Sequence, residues 1–391
     1  MVLTNNWQTT SLSEFLVQRK EFFIIDDFTR YKRARVQLHG KGIVLRDEVD
    51  GAEVKTKEQQ NARTGEFLVA EIDAKVGGFG IVPFELGGAI VSSHYFLFEI
   101  NEQKCLHEWL DWFIRSGMLE DQVKAQGSTN YSAIRPSHVL KYEIPLPPLA
   151  EQRRIVSRIE ALAGRIAEAQ SLRKEAVKDA NRLLISMAHR IDTSKELLIE
   201  DGWVETKLGE ILEQAKDRFL VEANKEYPNL GIYSFAHGLF HKQPIDGNLT
   251  GAKELYRVHK DQFIYSRLFA FEGACGYITE EYDGCYVSGE YPTFDCDPER
   301  VKPEFLFAYL KSLSTWKEIS AGSKGLGDRR QRVQPEKFLE HSLLLPPLNW
   351  QSKIVSVMHK FDLLREIQTT SSKEMDALIP SILDKAFKNQ L

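Results

Sequence analysis

The chain carries one distinctive motif twice. Residues 146–157 read LPPLAEQRRIVS, and residues 345–356, which lie 199 positions later, read LPPLNWQSKIVS. Two consecutive prolines do not fit inside a helix, and each proline holds the residue before it in an extended conformation. Because proline is well tolerated at the start of a helix, each copy predicts a strand that ends and a long helix that begins at a defined point.

The similarity between the two halves extends far upstream of this motif. At an offset of 196 residues, Trp7 aligns with Trp203 and Gly77 aligns with Gly273, and identities recur at this offset up to Ser116. A repeat of this length is the strongest architectural signal that a sequence can carry. The chain of 391 residues is therefore a tandem duplication with the order globular region, helix, globular region, helix.

The globular regions combine strand-like and helix-like segments. Runs such as EFLVAEI (66–72) and DQFIYSRLF (261–269) are rich in β-branched and aromatic residues, whereas CLHEWLDWFIRS (105–116) has a helical pattern. We expect an α/β fold with mixed α/β domains at 1–146 and 196–345. The helical regions are expected at 147–195 and 346–391.

Apolar residues after each Pro-Pro pair follow the alternating spacing of four and three residues that is typical of a coiled coil. The two helices are therefore expected to pack on each other, although Pro380 should kink or end the second one. The predicted seam comprises Ile159, Leu162, Ile166, Leu183 and Met187 in the first helix, and Phe361, Leu364, Met375, Leu378 and Ile382 in the second.

The net charge of -5 is not that of a typical nucleic-acid binder, so any binding to a polyanion must depend on local patches. Two segments qualify. The first, 28–46, has six cations and no acid, and the second, 323–332, reads SKGLGDRRQR. A solvated strand and a flexible surface loop are the alternative interpretations. The candidate DNA-binding residues are Arg30, Lys32, Arg33, Arg35, Lys41 and Arg46, and Lys324, Arg329, Arg330 and Arg332.

Sequence motifs for catalysis are missing. The chain has no glycine-rich S-adenosylmethionine loop, no Asn/Asp-Pro-Pro-aromatic motif, no Walker lysine and no PD...ExK arrangement, and its four cysteines have no metal-ligand spacing. We predict no catalytic residue, no metal site and no cofactor in this chain. It also has no apolar run of membrane-spanning length and no signal peptide, so we expect a cytoplasmic protein.

In the order of its segments, the chain resembles the specificity (S) subunit of type I restriction-modification systems. The resemblance covers nearly the whole chain and is carried by both LPPL motifs, by GGFGIVPFELGGAIVS (77–92) and by SILDKAFKNQL (381–391). It implies two target-recognition domains separated by two long antiparallel helices that form a coiled coil, with an internal pseudo-twofold repeat.

The same resemblance implies a function and partners. Each domain would read one half of a bipartite target in double-stranded DNA, and the helices would set the spacer and dock two methylation subunits. Restriction subunits would complete a type I site-specific deoxyribonuclease and adenine methyltransferase complex. S-adenosylmethionine, ATP and Mg²⁺ would then be bound by the partner subunits, while this chain is non-catalytic.

Three alternatives stay open from the sequence. The chain could be the specificity subunit of a related system with fused methylase and nuclease chains. It could be a coiled-coil scaffold without sequence-specific DNA binding, which the acidic net charge favours. An autonomous enzyme acting on DNA is disfavoured by the missing cofactor motifs.

Overall fold

A computed structural model describes residues 7–125, 134–321 and 332–391 of the chain. The chain divides into two compact units. The first unit consists of Met1–Ser171 together with Thr370–Leu391, and the second consists of Leu172–Thr369. Each unit contains one globular region and parts of both long helices, so the helices are not independent of the globular regions.

The first unit contains eleven strands among its described residues, and the first long helix begins in it. The strands are β1 (Thr9–Ser11), β2 (Leu16–Arg19), β3 (Phe22–Ile24), β4 (Arg30–Val36), β5 (Ile43–Asp50), β6 (Glu58–Asn61), β7 (Phe67–Ala70), β8 (Phe79–Ile81), β9 (Ile90–Val91), β10 (Tyr95–Ile100) and β11 (Glu143–Pro145). The helices are α1 (His107–Arg115), α2 (Met118–Ala125), α3 (Pro136–Val139) and α4 (Leu149–His189).

The elements that follow repeat this order after a short helix, α5 (Lys195–Glu200). The strands are β12 (Val204–Lys207), β13 (Leu212–Gln214), β14 (Arg218–Leu220), β15 (Glu226–Ile232), β16 (Leu239–Asp246), β17 (Glu254–Arg257), β18 (Phe263–Tyr265), β19 (Cys275–Tyr277), β20 (Tyr286–Val287), β21 (Thr293–Cys296) and β22 (Ser342–Leu345). The helices are α6 (Pro303–Tyr309), α7 (Leu313–Ser320), α8 (Pro335–Leu339) and α9 (Leu348–Phe387).

The two units have the same sheet topology. The first has a pair β1-β11, a four-stranded sheet β2-β10-β7-β8 and a five-stranded sheet β3-β6-β9-β4-β5. The second has β12-β22, β13-β21-β18-β19 and β14-β17-β20-β15-β16. Each five-stranded sheet contains one parallel pair, β4 with β9 or β15 with β20, and is otherwise antiparallel. The duplication of the sequence is thus confirmed as a duplicated, sheet-rich fold with a long helix after each copy.

Both long helices begin where the prolines predict. Strand β11 ends at Pro145 and α4 begins at Leu149, while β22 ends at Leu345 and α9 begins at Leu348. The carbonyl group of Pro148 accepts hydrogen bonds from two backbone N–H groups of the first turn of α4, and Pro347 does the same in α9. A proline without an N–H loses nothing at this position, because the first N–H groups of a helix have no partner inside it.

In the first unit, the beginning of α4 packs against the end of α9. Ile155 and Ile159 share a buried apolar cluster with Leu383 and Phe387. The Phe387 ring lies 4.8 Å from the Trp109 ring, measured between centroids, and is thereby joined to the core of the globular region. The helices run antiparallel here, since the first turns of one meet the last turns of the other.

In the second unit, the end of α4 packs against the beginning of α9. Leu184 and Ala188 lie in one buried cluster with Ile354 and Met358. The His189 ring stacks on Tyr309 at 4.1 Å between centroids, which ties the end of α4 to the globular region. Each unit thus builds a core from its own globular region and two antiparallel helix segments.

The buried face of α4 changes register partway along the helix. Ile159 is buried and Leu162, Ile166 and Met187 are half-buried, but Leu183 is 51% exposed and the adjacent Leu184 is buried. The half-buried positions include Ala169, Arg173 and Val177, which are separated by two successive steps of four where strict alternation requires one step to be three. A helix with 3.6 residues per turn drifts from a seven-residue repeat, and the extra residue moves the contact face accordingly.

The second helix shows a similar displacement from the predicted seam. Phe361, Met375 and Ile382 are half-buried, whereas Leu364 is 54% and Leu378 is 43% exposed. Half-buried residues adjacent to the exposed ones, Arg365 and Ile379, take their places.

Helix α9 continues through Pro380 to Phe387, so this proline does not end it. Among the described residues, no helix is both long enough and apolar enough to cross a membrane.

Candidate nucleic-acid interface

The first six candidate DNA-binding residues lie on one hairpin of the first unit. Arg30, Lys32, Arg33 and Arg35 are on β4, Lys41 is in the connecting loop and Arg46 is on β5. Side chains alternate between the two faces of a strand, and the irregularity between Arg33 and Ala34 shifts this alternation by one residue, so β4 can bury its apolar side chains and expose its cations. The structure has this arrangement: Ala34 and Val36 are buried in an apolar cluster, while Arg30, Lys32 and Arg35 are exposed.

The charge of Arg33 is compensated across the hairpin. Arg33 lies directly opposite Asp47, and its Nε and Nη2 each donate a hydrogen bond of 2.6 Å to one oxygen of that carboxylate. These bonds lower the pKa of Asp47 and raise that of Arg33. A two-pronged pair of this kind fixes the guanidinium geometrically and compensates its charge, so Arg33 adds little net positive charge to the patch while the pair is intact.

Three more hairpin cations have partners. The Arg30 Nε lies 3.5 Å from Glu48 Oε2, and the Arg46 Nε lies 3.7 Å from Asp47 Oδ2. The Lys32 ammonium donates a hydrogen bond of 3.3 Å to the backbone carbonyl of Glu85. All three side chains are exposed, and contacts of this length at a surface are weak enough to exchange for a DNA phosphate.

Arg35 and Lys41 differ from the other four hairpin cations. Both are exposed, and within the described residues neither forms an ion pair or a side-chain hydrogen bond. Their positive charge is therefore the part of the patch most available to a polyanion. The sequence alone did not separate them from the other four, because the acids that pair with the three arginines lie on β5, just beyond the segment of cations, and the carbonyl that binds Lys32 belongs to a distant residue.

The second predicted patch is described only at its end. Lys324, Arg329 and Arg330 lie outside the described residues, whereas Arg332 is described. The Arg332 Nη2 lies 3.4 Å from Glu290 Oε1, and the side chain is 51% exposed. Arg332 therefore stands at the surface beside a half-buried carboxylate.

The hairpin of the second unit does not repeat the charge of the first. Strand β15 reads EYPNLGI where β4 reads RYKRARV, and β16 contributes Lys242 as its one arginine or lysine. The two units thus share a topology but differ in surface charge at the same hairpin. Such variation is expected if the fold is constant and the recognition chemistry differs between copies.

Each unit also has a pocket beside its five-stranded sheet. A pocket of about 370 Å³ in the first unit is lined by Arg33, Lys55, Gln59 and Tyr95, among others. One of about 280 Å³ in the second is lined by Lys216, Arg218, Tyr256 and Tyr291, with five further residues. Tyr95 and Tyr291 occupy equivalent positions of the repeat, and burial raises the pKa of both, so they stay protonated hydrogen-bond donors at neutral pH. Sequence reasoning did not single out these pockets.

Comparison with known proteins agrees with this architecture. The family model of the type I restriction modification DNA specificity domain matches residues 5–177 and again 200–376. Among proteins with curated descriptions, none shows significant similarity to the chain.

Two solved structures have a similar fold. One, from work on complex assembly and conformational transition of the type I R-M system, is 21% identical, covers 100% of both chains and has a TM-score of 0.68. The HsdS subunit from Thermoanaerobacter tengcongensis is 22% identical, with 99% of this chain and 98% of that chain covered and a TM-score of 0.57.

A chain built from two copies of a DNA-specificity domain falls in the class of DNA-recognition proteins. It belongs to the family of type I restriction-modification DNA specificity domains.

Proposed function

We propose that this chain is the specificity subunit of a type I restriction-modification complex, in which each globular region reads one half of a bipartite DNA target. The observation that carries the proposal is the presence of two family domains, each with its own five-stranded sheet. The hairpin β4-β5 provides phosphate-binding cations for the first half. Polar groups of the pockets, such as Gln59 and Arg218, provide donors and acceptors of the kind that read base edges.

The long helices are proposed to set the spacer between the two half-sites. Helix α4 has 41 residues and is about 60 Å long at about 1.5 Å per residue, whereas one turn of DNA is about 34 Å. Two domains carried by helices of this length suit half-sites separated by base pairs that are not read.

The spacer role is tested by shortening both helices together. Deleting one heptad from each helix at matched levels keeps the contact face and shortens the pair by about 10 Å, or about three base pairs. The preferred gap should shorten while both half-site sequences stay the same. A gap that does not change would contradict the role of the helices as a spacer.

Methylation subunits are proposed to dock on apolar side chains of the helices. In the second unit, Leu363, Leu364 and Ile367 of α9 are 54 to 58% exposed, and Ile367 is the surface neighbour of both leucines because it follows them by four and three positions. Leu172 and Leu183 of α4 are 60% and 51% exposed and lie three full turns apart. Exposed apolar rows of this kind mark protein-binding surfaces. The chain would select the DNA, while partner subunits would bind S-adenosylmethionine, ATP and Mg²⁺ and perform the chemistry.

The first experiment is a selection from random DNA with the full chain, alone and together with the methylation subunit encoded beside its gene. The expected result is a bipartite motif with one fixed gap. If neither condition enriches any sequence, the coiled-coil scaffold becomes the better interpretation. If the neighbouring subunit proves to be a fused methylase and nuclease, the same motif would assign the chain to that related system.

A further inference from the structure

One buried glutamine lies at the beginning of each long helix. Gln152, the seventh residue of LPPLAEQ, has no exposed surface. Its Oε1 accepts a hydrogen bond of 2.9 Å from the backbone N–H of Leu106. Its Nε2 donates to the backbone carbonyls of Lys104, at 2.9 Å, and Pro147, at 2.8 Å.

Gln351 repeats this arrangement in the second unit. It is the seventh residue of LPPLNWQ and is also completely buried. Its Oε1 accepts from the backbone N–H of Lys302 at 2.8 Å, and its Nε2 donates to the carbonyls of Arg300 and Pro346, each at 2.8 Å. Every partner is the repeat equivalent of a partner of Gln152.

These bonds join three segments in each unit. They connect the first turn of the long helix, the di-proline turn, and the segment that leads into the first helix of the globular region, α1 or α6. Only an amide of this length supplies one acceptor and two donors from the same position: glutamate cannot donate, and asparagine is shorter by one methylene group. Both N–H groups of the amide are used, which a buried polar group requires.

The bonds do not depend on the side chains of the globular region. Lys104 in one copy is Arg300 in the other, and Leu106 is Lys302, yet the bonds are the same because all partners are backbone atoms. The joint between helix and globular region can therefore be kept while the surface that contacts DNA changes.

We propose that Gln152 and Gln351 are positioning residues, which fix the angle at which each globular region is held on its helix and so fix the gap between the two half-sites. This inference rests on the proposed function. A rotation of about 10° at the joint moves a point about 20 Å away by about 3.5 Å, which is about one base-pair step. A loose joint therefore permits gaps one base pair longer or shorter.

The test replaces each glutamine by methionine, which has a similar length but cannot form the three bonds. The variants are Gln152→Met, Gln351→Met and both together. Gln170→Met is the matched control, because Gln170 lies on the same helix, is exposed, and donates a bond of 3.1 Å to the side chain of Asp376. Each full chain is examined with its methylation subunit, and binding is measured on the selected target and on targets with one base pair added to or removed from the gap.

The expected result for the double variant is an unchanged pair of half-site sequences and a loss of discrimination between gaps of about tenfold, with intermediate effects of the single variants. The control should discriminate as the unaltered chain does. If the variants unfold at lower temperature but keep the same discrimination, the glutamines only stabilise the fold and the proposal is wrong. If the double variant does not fold, the single variants decide by the same comparison. If the unaltered chain selects no bipartite site, it is the proposed function that fails.

Discussion

Replacing Arg35 and Lys41 by glutamine removes the two hairpin cations that have neither an ion pair nor a side-chain hydrogen bond within the described residues. If each of them neutralises one DNA phosphate, the slope of log affinity against log salt should become less steep by about 0.9 per residue, or about 1.8 for both. The same relation predicts binding that is about 60-fold weaker near 0.1 M salt and similar near 1 M salt. The loss should be nearly the same for all sequences, since phosphate contacts carry no sequence information.

A matched control is available on the same hairpin. Arg33→Met combined with Asp47→Asn removes a cation together with the carboxylate that holds it by two bonds of 2.6 Å, so the net charge of the hairpin does not change and Arg46 loses only an exposed contact of 3.7 Å. This variant should keep the salt slope of the unaltered chain. The single variant Arg33→Met is a poorer control, because it changes the net charge of the hairpin and leaves Asp47 with only the contact of 3.7 Å to Arg46.

The assay is equilibrium binding of fluorescent target DNA over a series of salt concentrations. The reasoning would be refuted by an unchanged slope for the Arg35 and Lys41 variant together with a reduced slope for the Arg33 and Asp47 variant. That outcome would mean that Arg33 leaves its carboxylate in the complex, and that charge compensation in the free chain does not indicate which cations bind DNA.

Three further predictions concern stability. Arg19→Met should lower the free energy of unfolding, measured in urea, by about 3–5 kcal/mol, because Glu66 is only 4% exposed and would lose its guanidinium partner. The double variant Arg19→Met with Glu66→Gln should recover part of this loss. Phe387→Ala should lower the free energy of unfolding by a similar amount, about 3–5 kcal/mol, because the ring is 7% exposed and packs into the first core. Burial lowers the pKa of His189 below its ordinary 6.5. The contribution of His189 to the free energy of unfolding is therefore fully present above about pH 6.5 and is lost as the pH falls through the pKa of the folded state. His189→Gln should flatten this loss in unfolding measured between neutral and acidic pH, and an unchanged pH dependence would exclude His189 as its cause.

The sequence indicated the candidate cations but did not show which of them are paired with acids. A run of six cations without an acid indicated the segment 28–46, since charge is a local property of the sequence. The pairing of Arg33 with Asp47 depends on the register of two strands and on the irregularity between Arg33 and Ala34. For the same reason, the pockets with Tyr95 and Tyr291 could not be predicted, because their walls come from segments distant in the chain.

The seam of the long helices shows the same limit within one element. The spacing of apolar residues predicted two long helices that pack on each other, and both are present. The residue that is buried, however, is Leu184 and not Leu183. Heptad counting assumes a uniform twist, whereas the contact face follows the actual partner of each segment, which is a globular core at the helix ends.

By itself, the sequence determined the duplication, the start of each long helix and the class of fold, because a repeat and a proline pair act through covalent and local constraints. Tertiary structure decided which cations are compensated, which helix face is buried and what Gln152 and Gln351 bind. Each of these depends on backbone atoms or side chains brought together from distant positions, as when Gln152 meets Lys104 and Leu106. A buried amide must find its partners wherever the fold places them, and no spacing in the sequence encodes that.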